Sequence, residues 1–171
     1  MITEEIKRNY LEIKSLNELS KVEKPNHSSK VVLIDPPDFQ LNKFFYKQIG
    51  NKHKWRDRLI WEDRKWIEYT THSNVKTFVL KNDDDLIGYF ELIYDNRKFE
   101  TEIAYFGILE DYFGKKYGGY LLSEAIKLSF KNKTLRVWVH TCSLDHKHAL
   151  NNYQARGMSV FKKEKIRINT A

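Results

Sequence analysis

The stretch that decides the fold is Glu102–Leu122, with the sequence EIAYFGILEDYFGKKYGGYLL. Its first part has the pattern of an apolar strand. Its last residues begin an amphipathic helix that is predicted over 120–130. Four of the seven glycines lie at this junction: Gly107, Gly114, Gly118 and Gly119. Glycine is used where the backbone must bend unusually or let a ligand approach closely. Because a helix N-terminus offers unpaired N–H groups and a dipole equivalent to about +0.5 charge, the stretch predicts an anion-binding corner.

Three further features of this stretch refine the prediction. Lys115 and Lys116 add positive charge beside the helix start, which suits a phosphate. Gly107 interrupts the strand, and an isolated strand glycine predicts a bulge there, which would free the backbone N–H of Ile108. The alternative reading is that strand, tight turn and helix occur in any α/β domain.

These residues resemble the GNAT N-acetyltransferase family, whose fourth strand, phosphate loop and third helix carry Gln/Arg-x-x-Gly-x-Gly/Ala and bind the pyrophosphate of acetyl-CoA. Residues 113–118 fall on this motif. Three positions depart from the family's pattern: Phe113 replaces the Gln/Arg, Lys116 replaces the middle glycine, and Glu110 replaces a common proline. The resemblance implies acetyl-CoA as co-substrate. It places these residues at the cofactor: Phe106, Gly107, Ile108, Gly114, Lys115, Lys116, Gly118 and Gly119.

The resemblance runs in order over roughly residues 31 to 161 and implies the GNAT fold, a mixed, mostly antiparallel central sheet flanked by about four helices. Hydrophobic periodicity and turn residues predict the same α/β order. Strands are predicted at 10–13, 31–34, 75–80, 86–94, 100–108, 135–141 and 159–168, and helices at 41–49, around 61–69, at 120–130 and at 145–156. A length of 171 residues predicts one domain, residues 1–171.

Composition sets limits on partners. Thirty Lys and Arg against 23 Asp and Glu give a net charge of +7, which favours an anionic ligand such as CoA or nucleic acid. Nucleic acid is the weaker expectation, because the aromatic residues within 43–47 recur at helical spacing and predict core. One cysteine excludes a disulfide framework, and the sequence contains no membrane-length apolar run. The start of the chain lacks basic and apolar regions, so we expect no targeting segment. We expect a cytoplasmic monomer or homodimer without membrane contact.

Acetyl transfer to an amine requires a base, because an alkyl ammonium has a pKa of about 10.4. Glu102 is the first candidate, since strand alternation would put Glu102, Ala104 and Phe106 on one face, toward the interior or a cleft. His140, at the end of the next strand, is the alternative base, and water is the third. Each side chain also has a structural reading: Glu102 as an exposed strand residue, His140 as a packing residue.

The resemblance also implies the acid. Ala149, Tyr153 and Gly157 fit the family's Ala-x-x-x-Tyr-x-x-x-Gly pattern, in which Tyr faces the thioester sulfur, and His146 stands where the family often has Asn. A thiolate with a pKa of about 8.5 needs a proton on departure, so Tyr153 is the candidate donor. The backbone N–H of Ile108 is the candidate donor to the thioester oxygen. A core tyrosine is the alternative.

Two other chemistries are considered and not adopted. His140, Cys142, His146 and His148 include zinc-type ligands, but their spacing lacks the repeated pairs of a structural site, so no metal is predicted. Cys142 as an acyl nucleophile would need a lowered pKa, for which the sequence offers no cause. Direct attack in a ternary complex is therefore preferred.

The acceptor side is predicted from the two early helices and their link. Tyr46, Trp55, Asp57 and Arg58 lie there, and aromatic walls with an acid would suit a cationic amine. The sequence leaves the acceptor open among small-molecule and peptide amines. The predicted function is N-acetyl transfer from acetyl-CoA to a primary amine. The alternative is a GNAT-fold or basic module that binds CoA or nucleic acid without turnover.

Overall fold

A computed structural model describes residues 2–169 of the protein. This part of the chain forms a seven-stranded sheet and four α-helices, so the predicted α/β fold with a mixed, mostly antiparallel sheet is confirmed. The strands are β1 (Thr3–Ile13), β2 (Ser29–Leu33), β3 (Val75–Asn82), β4 (Asp85–Asp95), β5 (Glu100–Ile108), β6 (Arg136–Cys142) and β7 (Ser159–Asn169). The helices are α1 (Phe39–Gly50), α2 (Asp63–Thr71), α3 (Tyr117–Phe130) and α4 (Ala149–Ala155).

The strands lie in the order β2-β3-β4-β5-β6-β1-β7, and every neighbouring pair is antiparallel except β5 and β6. The parallel pairing covers only residues 100–102 opposite 136–138. Beyond them, β6 continues beside β1, with Cys142 opposite Arg8, while β5 stays beside β4. The two central strands therefore part and leave a groove in the middle of the sheet.

Helices cover both faces of the sheet. Tyr89 and Phe90 are neighbours on β4, so their side chains point to opposite faces. The ring of Tyr89 stacks on Phe45 of α1, with centroids 4.8 Å apart, whereas Phe90 belongs to the larger core that contains Leu121 of α3. Helices α1 and α3 therefore pack on opposite faces of the sheet.

A β-bulge interrupts β5 at Ala104. The residues on either side of it, Ile103 and Tyr105, lie opposite consecutive residues of β4, so Ala104 is the extra residue. Gly107 is paired with Tyr89 in the regular ladder. The predicted bulge at Gly107 is therefore wrong.

The bulge changes which side chains of β5 share a face. Glu102 lies opposite Ile93, on the α1 side of the sheet together with Tyr105. Phe106 lies opposite Phe90 and packs against the α3 core. The predicted common face of Glu102 and Phe106 is wrong, because one extra residue reverses the alternation.

Two predictions at the sheet edges also need correction. The strand predicted at 10–13 begins at Thr3, because residues 3–12 pair with β7, while pairing with β6 begins only at Arg8. The strand predicted at 31–34 spans residues 29–33 and is the edge strand β2, which pairs with β3 alone and leaves Leu33 43% exposed. A short apolar run does not distinguish an edge strand from a central one.

Two other segments bear on partners. Phe45 and Tyr46 are buried in α1, which leaves Phe44 as the exposed aromatic ring of residues 43–47. A row of bases could not stack along this segment. Within residues 2–169, no helix has both the length and the apolar character needed to cross a bilayer.

Gly157 lies two residues beyond the end of α4, in a backbone conformation that favours glycine. Its φ is +107°, and a Cβ there would overlap the carbonyl oxygen of Glu18. We expect Gly157→Ala to lower the free energy of unfolding by about 3 kcal/mol or more, because backbone strain and overlap add. Gly114, with φ +73° and no atom within 4 Å of its Cβ position, is the matched control. Gly114→Ala should cost only about 1 kcal/mol of strain. Urea denaturation measures both, and equal losses would contradict the overlap.

Candidate active site

The groove between β5 and β6 opens into a cavity of about 910 Å³. Its walls come from both strands, the link between α1 and α2, the loop before α3, the loop between β6 and α4, and α4 itself. This size suits a small-molecule or cofactor site. Of the predicted site residues, Tyr46 and Lys115 lie outside the lining, and the others contribute to it.

One end of the cavity is the N-terminus of α3. The helix begins at Tyr117, earlier than the predicted residue 120, so Gly118 and Gly119 lie in its first turn. The N–H of Tyr120 bonds to the carbonyl of Lys116 at 3.4 Å, and the N–H groups before it lack an intrahelical partner. This end therefore presents backbone donors together with the positive end of the helix dipole.

The loop before α3 keeps the backbone conformation that a glycine would allow. Lys116, at the position of the middle glycine of the motif, has φ 68° and ψ 9° in the left-handed region. A side chain there costs about 1 to 2 kcal/mol. Gly114 has φ +73°. Lys115 does not line the cavity; its ammonium lies 5.8 Å from the ring centroid of Tyr112, which does.

The glycines of this region differ in what surrounds them. At Gly118 the nearest atom to a Cβ would be Nδ2 of Asn152 at 3.7 Å, so space beside the helix start is open. A Cβ on Gly107 would instead lie 2.6 Å from Cγ2 of Ile49. Gly107 therefore permits close packing of α1 rather than close approach of a ligand. Gly119 likewise faces a packed neighbour, the guanidinium of Arg156.

The edge of β5 supplies a further backbone donor. The N–H of Leu109 bonds to the carbonyl of Ile87 at 2.8 Å. Hydrogen-bonded and non-bonded pairs alternate along an antiparallel ladder, so the N–H of Ile108 points away from β4. It faces the groove because β6 has already parted from β5. The N–H predicted at Ile108 is thus available, but strand separation exposes it and not a bulge at Gly107.

Glu102 faces the cavity from β5. Its carboxylate has no hydrogen bond or ion pair with any described residue, and it is half-buried. Burial raises the pKa of Glu102, and the charge of Arg58 partly opposes that rise. A carboxylate with a raised pKa is a stronger base, as general-base catalysis needs.

His140 lines the cavity from the end of β6. Burial, and secondarily the charge of Arg8, lower the pKa of His140, so the imidazole is neutral at pH 7. Its ring lies 5.7 Å from that of Tyr10. A neutral imidazole can accept a proton, so His140 stays a candidate base beside Glu102.

Tyr153 faces the cavity from α4 on the opposite face of the sheet. It is 6% exposed, and its ring lies 6.1 Å from that of Phe106. Burial, and then the nearby Asp145, raise the pKa of Tyr153 well above its usual range, so the hydroxyl keeps its proton at neutral pH. Among residues 2–169 no group forms a hydrogen bond with this hydroxyl, which leaves it free to donate to a ligand.

Asp145 is a cavity residue that sequence reasoning missed. Its Oδ2 accepts hydrogen bonds from the Thr141 hydroxyl and, at 2.9 Å, from the N–H of Cys142. Burial, and then the charge of Asp145, raise the pKa of Cys142 and disfavour the thiolate. The thiol is therefore a poor nucleophile at neutral pH.

Three histidines from two loops gather at the rim. The ring of His146 lies 4.8 Å from Phe113, 5.3 Å from His148 and 6.2 Å from His53. No three His, Cys, Asp or Glu side chains within residues 2–169 are placed to hold a metal ion. His146 instead forms an edge-to-face ring contact with Phe113, the residue that replaces the Gln/Arg of the motif.

The predicted acceptor side is built around Asp57. Its Oδ1 accepts a hydrogen bond from Tyr46 at 2.9 Å, and its Oδ2 accepts one from Tyr105 at 2.6 Å. Tyr46 is 1% exposed and also accepts the N–H of Arg58 at 3.1 Å. Tyr46, predicted as a substrate contact, therefore lies behind the cavity wall and holds Asp57 in place. Trp55 lines the cavity beside it.

Arg58 belongs to a buried ion pair. Its Nη1 lies 2.9 Å from Oε1 of Glu91, and the two side chains are 5% and 0% exposed. Tyr69 and Tyr105 flank the guanidinium, with ring centroids 4.2 and 4.1 Å from Cζ. The charge that sequence reasoning assigned to substrate binding is thus neutralised internally. Glu91 was not predicted, because it lies inside an otherwise apolar strand.

The family model described as Acetyltransferase (GNAT) family matches residues 39–158, from the start of α1 to the residue before β7. Every predicted site residue lies within this stretch. The chain belongs to the GNAT acetyltransferase family. The resemblance stated from the motif residues is therefore confirmed.

Solved structures share the GNAT fold with this chain. A GCN5-related N-acetyltransferase from Sphaerobacter thermophilus superposes with a TM-score of 0.73 at 12% identity, over 95% of this chain and 50% of its own. One from Kribbella flavida gives 0.65 at 12%, over 94% and 56%. An aminoglycoside acetyltransferase from an uncultured soil metagenomic sample, solved with trehalose, gives 0.66 at 12%, over 78% and 90%.

These identities establish likeness of fold alone. The chain spans 56% and 50% of the lengths of the Kribbella and Sphaerobacter proteins, respectively. No curated protein matches the sequence.

Burial of Glu102 predicts a pH-dependent stability difference. Its pKa is raised in the folded protein, so the native state holds the proton more tightly than the unfolded chain does. Stability should fall as pH rises through the native pKa and stay lower at pH 7. We therefore expect Glu102→Gln to melt at a higher temperature than the wild type at pH 7, with the difference vanishing below the unfolded pKa of about 4.3.

The control for this prediction is Glu100→Gln on the same strand. Glu100 is paired with Arg136 at 3.2 Å outside the cavity, so this change should not raise the melting temperature at pH 7. Equal melting temperatures of wild type and Glu102→Gln across the pH range would contradict the buried, unpaired carboxylate.

Proposed function

We propose that this GNAT protein is an N-acetyltransferase that moves an acetyl group from acetyl-CoA to a primary amine by direct attack in a ternary complex. One observation carries the proposal. A single groove joins the free N–H groups at the start of α3 to an unpaired carboxylate, Glu102, and an unpaired hydroxyl, Tyr153. A phosphate-bearing acyl donor and a proton acceptor thus meet in one cavity.

The residues present fit the phosphates of acetyl-CoA. The first turn of α3 supplies N–H donors, Lys116 lines the cavity beside them, and the space next to Gly118 is open. Pyrophosphate at a helix N-terminus is a general mode of anion binding. When bound, acetyl-CoA supplies a thioester whose carbonyl carbon accepts the amine.

Glu102 would act as the base. It takes a proton from the acceptor ammonium, directly or through a water, so that a neutral amine can attack. The new C–N bond forms as the C–S bond breaks. The ammonium nitrogen loses two protons in the reaction. One passes through Glu102 to solvent, and the other replaces the proton that the departing sulfur receives. His140, neutral and near the same cavity, is the second candidate for this role.

Ile108 and Tyr153 would stabilise the reacting thioester. The N–H of Ile108 faces the groove and can donate to the carbonyl oxygen as negative charge develops there. The Tyr153 hydroxyl, kept protonated by burial, can donate its proton to the departing sulfur. Cys142 has a raised pKa, which supports direct transfer over an acyl-cysteine intermediate.

We further propose that residues 1–171 form one acetyltransferase domain. β1 and β7, from opposite ends of the chain, pair with each other along most of their length. The groove therefore depends on both ends of the sequence.

The cofactor assignment predicts stabilisation by acetyl-CoA. At a hundred times its Kd, a ligand that binds only the folded state adds about 2.7 kcal/mol to the free energy of unfolding. The melting temperature should therefore rise with acetyl-CoA. Gly118→Trp should abolish the rise, because the indole fills the open space beside the N-terminus of α3.

The matched control is Lys131→Trp, an exposed change at the other end of α3, which should keep the rise. No shift of the wild type at millimolar acetyl-CoA would overturn the cofactor assignment. A normal shift in Gly118→Trp would show that the phosphate corner is misplaced.

The acid assignment predicts a dependence on the leaving group. Tyr153→Phe should lower turnover with acetyl-CoA roughly 10²-fold or more while the thermal shift persists. An acyl donor whose thiol has a lower pKa needs less protonation on departure, so it should partly restore this variant. Glu102→Gln, which removes the base, should lose turnover without such restoration. Steady-state rates with two acyl thioesters measure both.

Two outcomes would contradict this scheme. Equal restoration of both variants, or full activity of Tyr153→Phe, would remove Tyr153 as the acid. Acetyl-CoA binding by the wild type with no transfer to any amine would favour the non-catalytic binding module.

A further inference from the structure

We infer that the acceptor amine carries a second cationic group, and that Asp57, beside Trp55 and Tyr105, binds that group while the reacting amine lies at Glu102. This inference rests on the proposed function and names the chemical class of its acceptor: diamines, polyamines and other amines with a second ammonium.

Asp57 has acceptor capacity to spare. The hydroxyls of Tyr46 and Tyr105 each donate to one of its oxygens, and these are its only hydrogen-bond partners among the described residues. A carboxylate has about four acceptor positions, so roughly two remain. The side chain is exposed and lines the cavity. An ammonium in the cavity can therefore reach it.

Three cations of the cavity wall are each paired with a carboxylate other than Asp57. Arg58 is bonded to Glu91 at 2.9 Å, Lys54 lies 3.1 Å from Glu4, and Arg8 lies 3.6 Å from Glu164. None of these three cations forms an ion pair with Asp57. The negative charge at Asp57 is thus left for a ligand.

The Trp55 ring beside Asp57 suits a cation, whereas the Tyr105 ring already contacts the guanidinium of Arg58, 4.1 Å from its centroid. Trp55 and Tyr105 both line the cavity, with ring centroids 4.8 Å apart at 70°. The face of an aromatic ring attracts an ammonium, most strongly for Trp. Burial, and then the bond to Asp57, raise the pKa of Tyr105 far above its usual range, so it remains a donor to that carboxylate.

Tyr105 connects the two carboxylates of this wall through the same strand. Tyr105 holds Asp57, and Tyr105 shares a face of β5 with Glu102. Three strand residues span at most about 10 Å, and the bulge at Ala104 shortens that path. Glu102 and Asp57 thus both line one cavity, where a diamine with a short carbon chain could contact both carboxylates.

Three amines with one carbon skeleton test the inference: putrescine, butylamine and γ-aminobutyrate, which end in an ammonium, a methyl group and a carboxylate. We expect kcat/KM for acetylation to be at least tenfold higher for putrescine than for butylamine, and lowest for γ-aminobutyrate. The difference should lie mainly in KM, because the second ammonium contributes binding and takes no part in the chemistry.

Asp57→Asn assigns the preference to one residue. The amide keeps the shape and removes the charge, so the ratio of putrescine to butylamine should fall to about one. The matched control is Asp63→Asn, at the start of α2, where the carboxylate is paired with Lys43 at 3.1 Å outside the cavity. This control should keep the wild-type ratio, and its melting curve shows the effect of losing a surface carboxylate.

Several results would overturn the inference. The first is a kcat/KM for butylamine equal to that for putrescine, and the second is a kcat/KM for γ-aminobutyrate above both. The third is a putrescine-to-butylamine ratio in folded Asp57→Asn that equals the wild-type ratio. If Asp57→Asn does not fold, the wild-type order of the three amines still decides.

A binding measurement separates this inference from the proposed function. Thermal shifts of the acetyl-CoA-bound protein with each amine need no turnover. A putrescine preference without acetyl transfer would contradict only the proposed function. Transfer with equal shifts for all three amines would contradict only the second-cation site.

Discussion

The separation of β5 from β6 is the constraint on which the rest of the structure depends. The two strands pair over residues 100–102 and 136–138 and then diverge. Because a strand edge inside a sheet leaves backbone groups unpaired, the divergence exposes the N–H of Ile108. It also lets side chains from opposite faces, Glu102 and Tyr153, reach one cavity. If β5 and β6 stayed paired along their length, the N–H of Ile108 would be bonded and no cavity would open between the strands.

A buried charge cluster holds the wall of that groove proposed for the acceptor. Glu91, on the neighbouring strand β4, accepts hydrogen bonds from Arg58, from Tyr69 at 2.6 Å and from Asn42 at 2.8 Å. Breaking a buried ion pair leaves an uncompensated charge and costs about 3 to 5 kcal/mol. The pair therefore anchors the link between α1 and α2, and with it Asp57, to the sheet. The cluster also neutralises Arg58, whose charge is paired with Glu91 at 2.9 Å and not with Asp57.

The sequence predicted those features that have a local signal. Periodicity located the strand Glu100–Ile108 at its observed bounds, and the glycine-rich stretch located the start of α3 within one turn. The bulge at Ala104 had no such signal, because alanine fits a regular strand as well as a bulge. The faces assigned along β5 were therefore wrong. Long-range contacts were equally hidden: the bond of Tyr105 to Asp57 joins residues 48 positions apart, and local spacing carries no information about such pairs.

The central claim is that strand separation and the N-terminus of α3 form one acetyl-CoA site. Hydrogen–deuterium exchange, resolved to single amides with and without saturating acetyl-CoA, tests it most directly. The account predicts slower exchange at Ile108 and at residues 116–119 when acetyl-CoA is bound, with no change at the N-terminus of α2. Unchanged exchange at Ile108 and in the first turn of α3, with acetyl-CoA bound, would contradict it.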